Sequence, residues 1–116
     1  MHHYAYIGVM TLERDLTYLS EQMDSKFFKS LAEPVRLEII KLMMVKGESD
    51  IATLAAQMPQ DRSVISRHLS NMVDAGIVTA RKEGRHMFYA LRRDQFVSRF
   101  EDILTAIKKC AAHDCC

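Results

Sequence analysis

The stretch Asp61-Arg-Ser-Val-Ile-Ser-Arg-His-Leu-Ser-Asn-Met-Val-Asp-Ala-Gly76 constrains the fold of this chain more than any other. Val64, Ile65, Leu69, Met72 and Val73 recur at helical spacing, which predicts an amphipathic helix with that face in a core. Asp61 or Ser63 can accept a backbone N–H at its start, and Gly76 supplies a left-handed residue just past its end. The other face carries Arg62, Ser63, Ser66, Arg67 and Ser70. Short hydroxyl side chains and arginines let a helix come close to a polyanion and bond phosphates and base edges. The pattern is that of a helix that reads DNA.

The segments on either side fit that reading. Asp50 caps a short helix with Ile51, Leu54, Ala55 and Met58 inside, and Pro59 stops it. Two short helices joined by a tight turn make a helix-turn-helix. Beyond Gly76, Ile77-Val-Thr79 and Met87-Phe-Tyr89 favour strands, with Gly84 suited to the turn between them. A two-stranded ribbon with the basic tip Arg81-Lys-Glu-Gly-Arg-His86 is expected, packed on the helices because a lone hairpin is marginal in water.

Towards the N-terminus, residues 1–10 lack helical periodicity and read as a flexible tail; its His2 and His3 read as incidental rather than as ligands. Leu12, Leu16, Leu19 and Met23 then form a narrow stripe that needs a partner, either the chain's last helix or a second subunit. Phe27, Phe28 and Leu31 precede Pro34, which breaks or restarts the helix. The many apolar residues from Val35 to Met44 predict a central buried helix ended by Gly47. A last helix from about Asp94 shows one apolar face in Phe96, Phe100, Ile103, Leu104 and Ile107, with Lys108 and Lys109 in its final turn. The expected organisation is a tail (1–10), a DNA-binding and dimerisation domain (11–109) and a Cys-rich C-terminal tail (110–116).

At 116 residues the chain suits one domain. Its net charge is only +1, but the charge is unevenly spread. Residues 60–93 hold seven basic against three acidic side chains, a net of +4, and residues 11–33 hold three against five, a net of −2. The basic excess coincides with the polar helix and the hairpin, where phosphates would lie. No apolar run is long enough for a membrane span and no secretory signal is evident, so a cytoplasmic location is expected. No glycine-rich phosphate loop or nucleophile–base pair points to an enzyme.

Three stretches carry a family resemblance. Ser30-Leu-Ala-Glu-Pro-Val-Arg-Leu-Glu-Ile-Ile-Lys-Leu-Met43, Ser63-x-x-Ser-x-His-Leu-x-x-Met-x-x-Ala-Gly-Ile-Val78 and Arg81-Lys-Glu-Gly-Arg-His-Met-Phe-Tyr-Ala-Leu91 resemble the second helix, recognition helix and wing of the ArsR-type repressors, the arsenic- and metal-responsive bacterial family. The resemblance implies a mainly α fold with a small β-hairpin, a winged helix-turn-helix. It also implies a homodimer held by the first and last helices, and a repressor that an inducer releases from double-stranded operator DNA. Two departures stand out. The Cys-x-Cys of many arsenic and cadmium sensors is replaced by Glu48-Ser-Asp-Ile-Ala-Thr-Leu54, and residues 94–109 contain none of the His ligands used by zinc- and nickel-type members.

The expected DNA contacts are Gln60, Arg62, Ser63, Ser66, Arg67 and His68 on and before the helix, with Arg81, Lys82 and Arg85 on the wing. His68 competes between DNA and packing at the helix–wing corner. The expected sensing site is Cys110, Cys115 and Cys116, since every cysteine in the chain lies in its last seven residues. Three thiolates suit As(III) or antimony, and His113 would complete a tetrahedral set for Zn or Cd. Convergence requires the helix to unwind after Cys110 or thiols from two subunits. No organic cofactor is expected. A redox- or persulfide-responsive repressor using the same cysteines is the first alternative, through a Cys115–Cys116 or Cys110–Cys115 disulfide. A winged helix that binds protein is the second.

Overall fold

The computed structural model describes the backbone of residues 2–113 and the side chains of residues 11–113. The chain forms two compact units, Ser25–Phe96 and the segments that flank it, through Asp24 and from Val97 onward.

In chain order the helices are α1 (His2–Gln22), α2 (Ser25–Leu31), α3 (Pro34–Lys46), α4 (Ile51–Ala55), α5 (Arg62–Asp74) and α6 (Arg93–Ala111). The strands are β1 (Ser49–Asp50), β2 (Val78–Glu83) and β3 (His86–Leu91), in an antiparallel sheet of order β1-β3-β2. Within unit Ser25–Phe96, Pro34 separates α2 from α3, as the sequence indicated. It occupies the first turn of α3, and the residue before it, Glu33, is extended and caps the helix by accepting the Arg36 N–H at 3.1 Å. Gly47 (φ 77°) ends α3, its N–H bonded to the Met43 carbonyl. The Arg93 guanidinium donates to the carbonyls of Met43 and Met44, placing a cation at the negative end of the same helix.

The core of this unit is built from Ile39, Met43, Leu54, Ile65, Leu69, Met72, Ile77 and Val78, all fully buried. One face of α5 therefore anchors the helix. Val64 and Val73, expected inside with them, are half-buried at the margin. α3, expected as the central buried helix, is buried on one side: Ile39, Ile40 and Met43 are inside, while Leu37, Met44 and Val45 are exposed. Helices α2 and α5 and strand β3 pack on α3 within the unit, and they leave part of its circumference uncovered.

The wing has three strands rather than two. Asp50 must be extended to cap α4 (φ −87°, ψ 172°), and that conformation lets Ser49 and Asp50 pair with Tyr89 and Phe88 of β3. The added strand removes one edge of an otherwise marginal ribbon. Between the paired residues Glu83 and His86 only Gly84 and Arg85 remain. Positive φ occurs at Gly84 (62°) alone, the backbone pattern of a type II′ hairpin.

In the flanking unit, α1 starts at His2, so residues 2–10 are helical where a loose tail was expected. Missing periodicity says only that a segment has no single apolar stripe; the backbone ladder needs none. Ile103 and Ala106 of α6 are buried, and Leu16, Val97, Phe100, Leu104 and Ile107 are exposed on α1 and α6, as is Met23 just past α1. Arg99 bonds Asp24 at 3.0 Å, and Lys109 lies over the Tyr18 ring. α6 continues to Ala111 and is followed by a turn in which the His113 N–H meets the Cys110 carbonyl. Cys110 is thus part of the helix and not of a tail. Among the described residues no helix is long and apolar enough to cross a membrane.

Candidate nucleic-acid interface

The polar helix is held by both of its ends. At its start the Asp61 carbonyl accepts the N–H groups of Val64 and Ile65, while its side chain makes no capping bond, contrary to one of the two expected caps. At its end the Ile77 N–H bonds the Met72 carbonyl and the Gly76 N–H bonds that of Val73. With Gly76 at φ 78° this is a Schellman motif, and it turns the chain directly into β2. α4 is fixed before it by Asp50, whose carboxylate accepts the Thr53 N–H at 2.8 Å. Hydrogen bonding by Thr53 holds that carboxyl below its ordinary value.

Arg62, Ser63, Arg67 and Ser70 are exposed along α5, with Ser66 half-buried beside them. Among the described residues neither Arg62 nor Arg67 has an ion-pair partner. The wing brings Arg85 to the same region: a cleft of about 230 Å³ is lined by Asp50, Arg62, Arg85 and His86. Lys82 and Arg85 are exposed and likewise outside any ion pair among the described residues. The fold therefore brings one cation of the helix, Arg62, and one of the wing, Arg85, to a single cleft that a phosphate chain can reach, and leaves Arg67 and Lys82 exposed on the same two elements.

Three expected contacts are placed differently. His68 faces α3, where its Nδ1 accepts a hydrogen bond from Arg36 Nε at 3.1 Å, with Glu33 Oε2 at 3.7 Å. Through this bond it joins α5 to α3. Gln60 is half-buried and its Oε1 is enclosed with no partner among the described residues, so the amide is partly withdrawn from the surface. Arg81 forms a fork on Glu48, Nε to Oε2 at 3.0 Å and a terminal nitrogen to Oε1 at 2.7 Å. Its other terminal nitrogen reaches Glu83 at 2.8 Å, and the guanidinium lies 4.9 Å from the centre of the Phe88 ring. The bonds to Glu48 and Glu83 raise its pKa, and the Arg81 bond lowers that of Glu48. Arg81 ties the wing to the segment before β1. No spacing rule reveals this pairing, because the partners are 33 residues apart. Arg36 and Glu48 were missed for the same reason.

Of the expected thiol site, Cys110 is a free, half-buried cysteine in the last turn of α6, and Cys115 and Cys116 lie outside the described residues. The side chains of His2 and His3 also lie outside them. His113, the expected fourth ligand, is engaged with the buried Asp15 carboxylate, Nε2 to Oδ2 at 2.8 Å. Among the described residues no three His, Cys, Asp or Glu side chains are grouped so as to hold a metal ion.

Comparison with known proteins adds the following. The family model described as bacterial regulatory protein, arsR family, matches residues 33–80. An uncharacterized HTH-type transcriptional regulator of Methanocaldococcus jannaschii is 35% identical over 71 residues, covering 61% of this chain and 80% of the relative. A probable mercury resistance operon repressor of Streptomyces lividans is 30% identical over 98 residues, covering 79% and 74%. The crystal structure of a possible transcriptional regulator for arsenical resistance superposes with a TM-score of 0.59 at 32% identity, covering 72% of this chain and 81% of that one.

Proposed function

This chain belongs to the arsR family of bacterial regulatory proteins, which makes it a winged helix-turn-helix transcriptional repressor, and we propose the following specific mode of action. It is a homodimer that binds a two-fold operator and leaves it when a thiophilic metal or metalloid, arsenite foremost, binds Cys110, Cys115 and Cys116. The observation that carries the DNA half is the set of exposed cations Arg62, Arg67, Lys82 and Arg85 on α5 and the wing, outside any ion pair among the described residues, two of them lining one cleft. Arg67 and the serines of α5 read base edges in the major groove, and Lys82 and Arg85 hold flanking phosphates. Arg81 contributes wing rigidity, and His68 contributes the seating of α5 on α3.

The dimer is supported by Leu16, Val97, Phe100, Leu104 and Ile107, apolar side chains at helical spacing that a single chain leaves exposed on α1 and α6. Two recognition helices related by a two-fold axis then meet half-sites about one turn of DNA apart. The inducer half is supported by the chemistry of three thiols and by the mercury- and arsenical-resistance descriptions of similar proteins. Cys110 sits on the last turn of the helix that carries much of the exposed apolar surface. Metal binding there acts on the seam that sets the spacing of the two recognition helices.

The test is titration of the reduced protein, bound to an operator selected from random duplex, with arsenite and with mercuric ion. Thiolate–metal absorption and DNA release are followed together. Both rise in step in the parent protein. A Cys110→Ser/Cys115→Ser/Cys116→Ser variant still binds operator and ignores the inducer. Normal release of that variant by arsenite would sink the thiol site, and release of the parent protein by mild oxidation without metal would replace metal sensing by redox sensing.

A further inference from the structure

We propose that the cleft between α2, α3 and the C-terminal turn of α5 binds a small phosphorylated metabolite. The cleft has a volume of about 340 Å³, and Lys26, Lys29, Ser30, Arg36, Asn71 and Asp74 are among its lining residues. That size lies at the lower end of small-molecule pockets. Lys29 and Arg36 line the cleft with Asp74 as the one carboxylate among its lining residues, so the cleft favours an anion, and Arg36 offers the planar donor array that suits phosphate. Only the Nε of the Arg36 guanidinium is engaged by another described residue, on His68, which leaves its terminal nitrogens for a ligand.

Ser30 supplies the second, independent observation. It is 3% exposed, and its Oγ has no hydrogen-bond partner among the described residues. A helical hydroxyl normally finds the carbonyl four residues back, as Thr17 and Ser20 do in α1 at 2.9 Å. Ser30 forgoes that bond in the wall of a basic cleft. A buried hydroxyl left unpaired is a cost to the fold, and a phosphate oxygen in the cleft would remove it. Asn71 and Asp74 can accept from hydroxyl groups on the rest of the ligand, which favours a phosphorylated sugar over a bare anion.

The position also separates this cleft from the DNA-reading end of α5. Asp74 lies about 18 Å along the helix axis from Arg62 at the rise of an α-helix. The link between the two ends is the bond from Arg36 to His68, the neighbour of Arg67. A ligand that draws the Arg36 guanidinium towards itself competes with His68 for it, so occupancy alters the seating of α5. This coupling rests on the DNA-binding reading above; the binding itself does not.

The experiment titrates the full-length reduced protein with ribose 5-phosphate, and separately with potassium chloride at matched ionic strength, following backbone amide shifts by NMR. Saturable shifts are expected at Lys29, Ser30, Asn71 and Asp74 with the sugar phosphate alone. Lys29→Gln and Ser30→Ala should each weaken binding at least fivefold, and Ser30→Ala should leave the thermal midpoint unchanged or raised. Shifts that chloride reproduces, that never saturate, or that survive in Lys29→Gln overturn the proposal. Duplex DNA shifting the same amides, with Lys29→Gln reducing the salt dependence of DNA binding, overturns it in favour of a backbone contact in the DNA interface. Operator affinity is read by fluorescence anisotropy with and without saturating ribose 5-phosphate. A change of threefold or more supports the coupling, and no change with binding intact overturns the coupling through Arg36 and His68.

Discussion

Arg67 and Arg81 are both arginines of the basic region, and the structure predicts that replacing them has different consequences. Arg67 is exposed on α5 and has no ion-pair partner among the described residues, whereas Arg81 is forked on Glu48 and bonded to Glu83. An arginine that bonds a base edge in two places contributes roughly 1–3 kcal/mol of discrimination, so Arg67→Ala should weaken specific binding by about 5- to 150-fold. Loss of a cation that displaces a counterion from DNA lowers the slope of log affinity against log salt by about 0.9. That reduction is expected for Lys82→Ala and Arg85→Ala. Arg81→Ala should leave the slope nearly unchanged, because two carboxylates already neutralise the guanidinium and a phosphate would have to displace both. Its effect should appear instead as a looser wing, seen as faster amide exchange in β2 and at the tip. Fluorescence anisotropy on selected operator and on scrambled duplex, at four or five salt concentrations, measures all four variants. A slope loss for Arg81→Ala equal to that for Lys82→Ala would refute the assignment, since Arg81 would then leave its carboxylates when DNA binds.

Other expectations concern the scaffold. Asp50 has its pKa depressed by the Thr53 bonds, so its stabilising contribution is complete above the unfolded value near about 4 and is lost as pH falls through the lower folded value. Asp50→Asn should therefore show a smaller drop in urea midpoint between pH 7 and pH 3 than the parent, and equal drops would contradict the cap. Gly76→Ala places a Cβ at φ 78° and should destabilise by roughly 1–2 kcal/mol, read from the thermal midpoint; the space itself is open, with Arg92 at 3.6 Å. Leu104→Glu should shift sedimentation towards monomer and weaken operator binding while leaving the far-ultraviolet circular dichroism of dilute protein intact. A dimer that persists at micromolar concentration would move the seam elsewhere.

The helix-turn-helix was readable because its determinants are local. The spacing of Ile65, Leu69 and Met72, the Asp50 cap, the break at Pro34 and the turn residues Gly76 and Gly84 each act within one or two helical turns, and each appears where chain chemistry placed it. The exposed cations Arg62, Arg67, Lys82 and Arg85 were readable for the same reason: a charged side chain without an apolar neighbour at helical or strand spacing stays at the surface.

The start of α1 was not readable, because the absence of a stripe in residues 2–10 carries no information about the backbone. The third strand was not readable either: Ser49-Asp50 is too short to signal a strand, and it becomes one only because the α4 cap is extended beside β3.

By itself, then, the order of residues determined where α5 starts and stops, which of its faces is buried and which sign of charge surrounds it. Tertiary structure alone decided which charges remain available. Arg81 is matched by Glu48 across 33 positions, His68 is turned from the surface by Arg36 across 32, and Asp15 meets His113 across 98. Those pairings have no periodicity to betray them. A hydrogen bond or ion pair depends on a few ångströms of separation between groups whose distance along the chain is arbitrary, and only packing of the core brings them within reach.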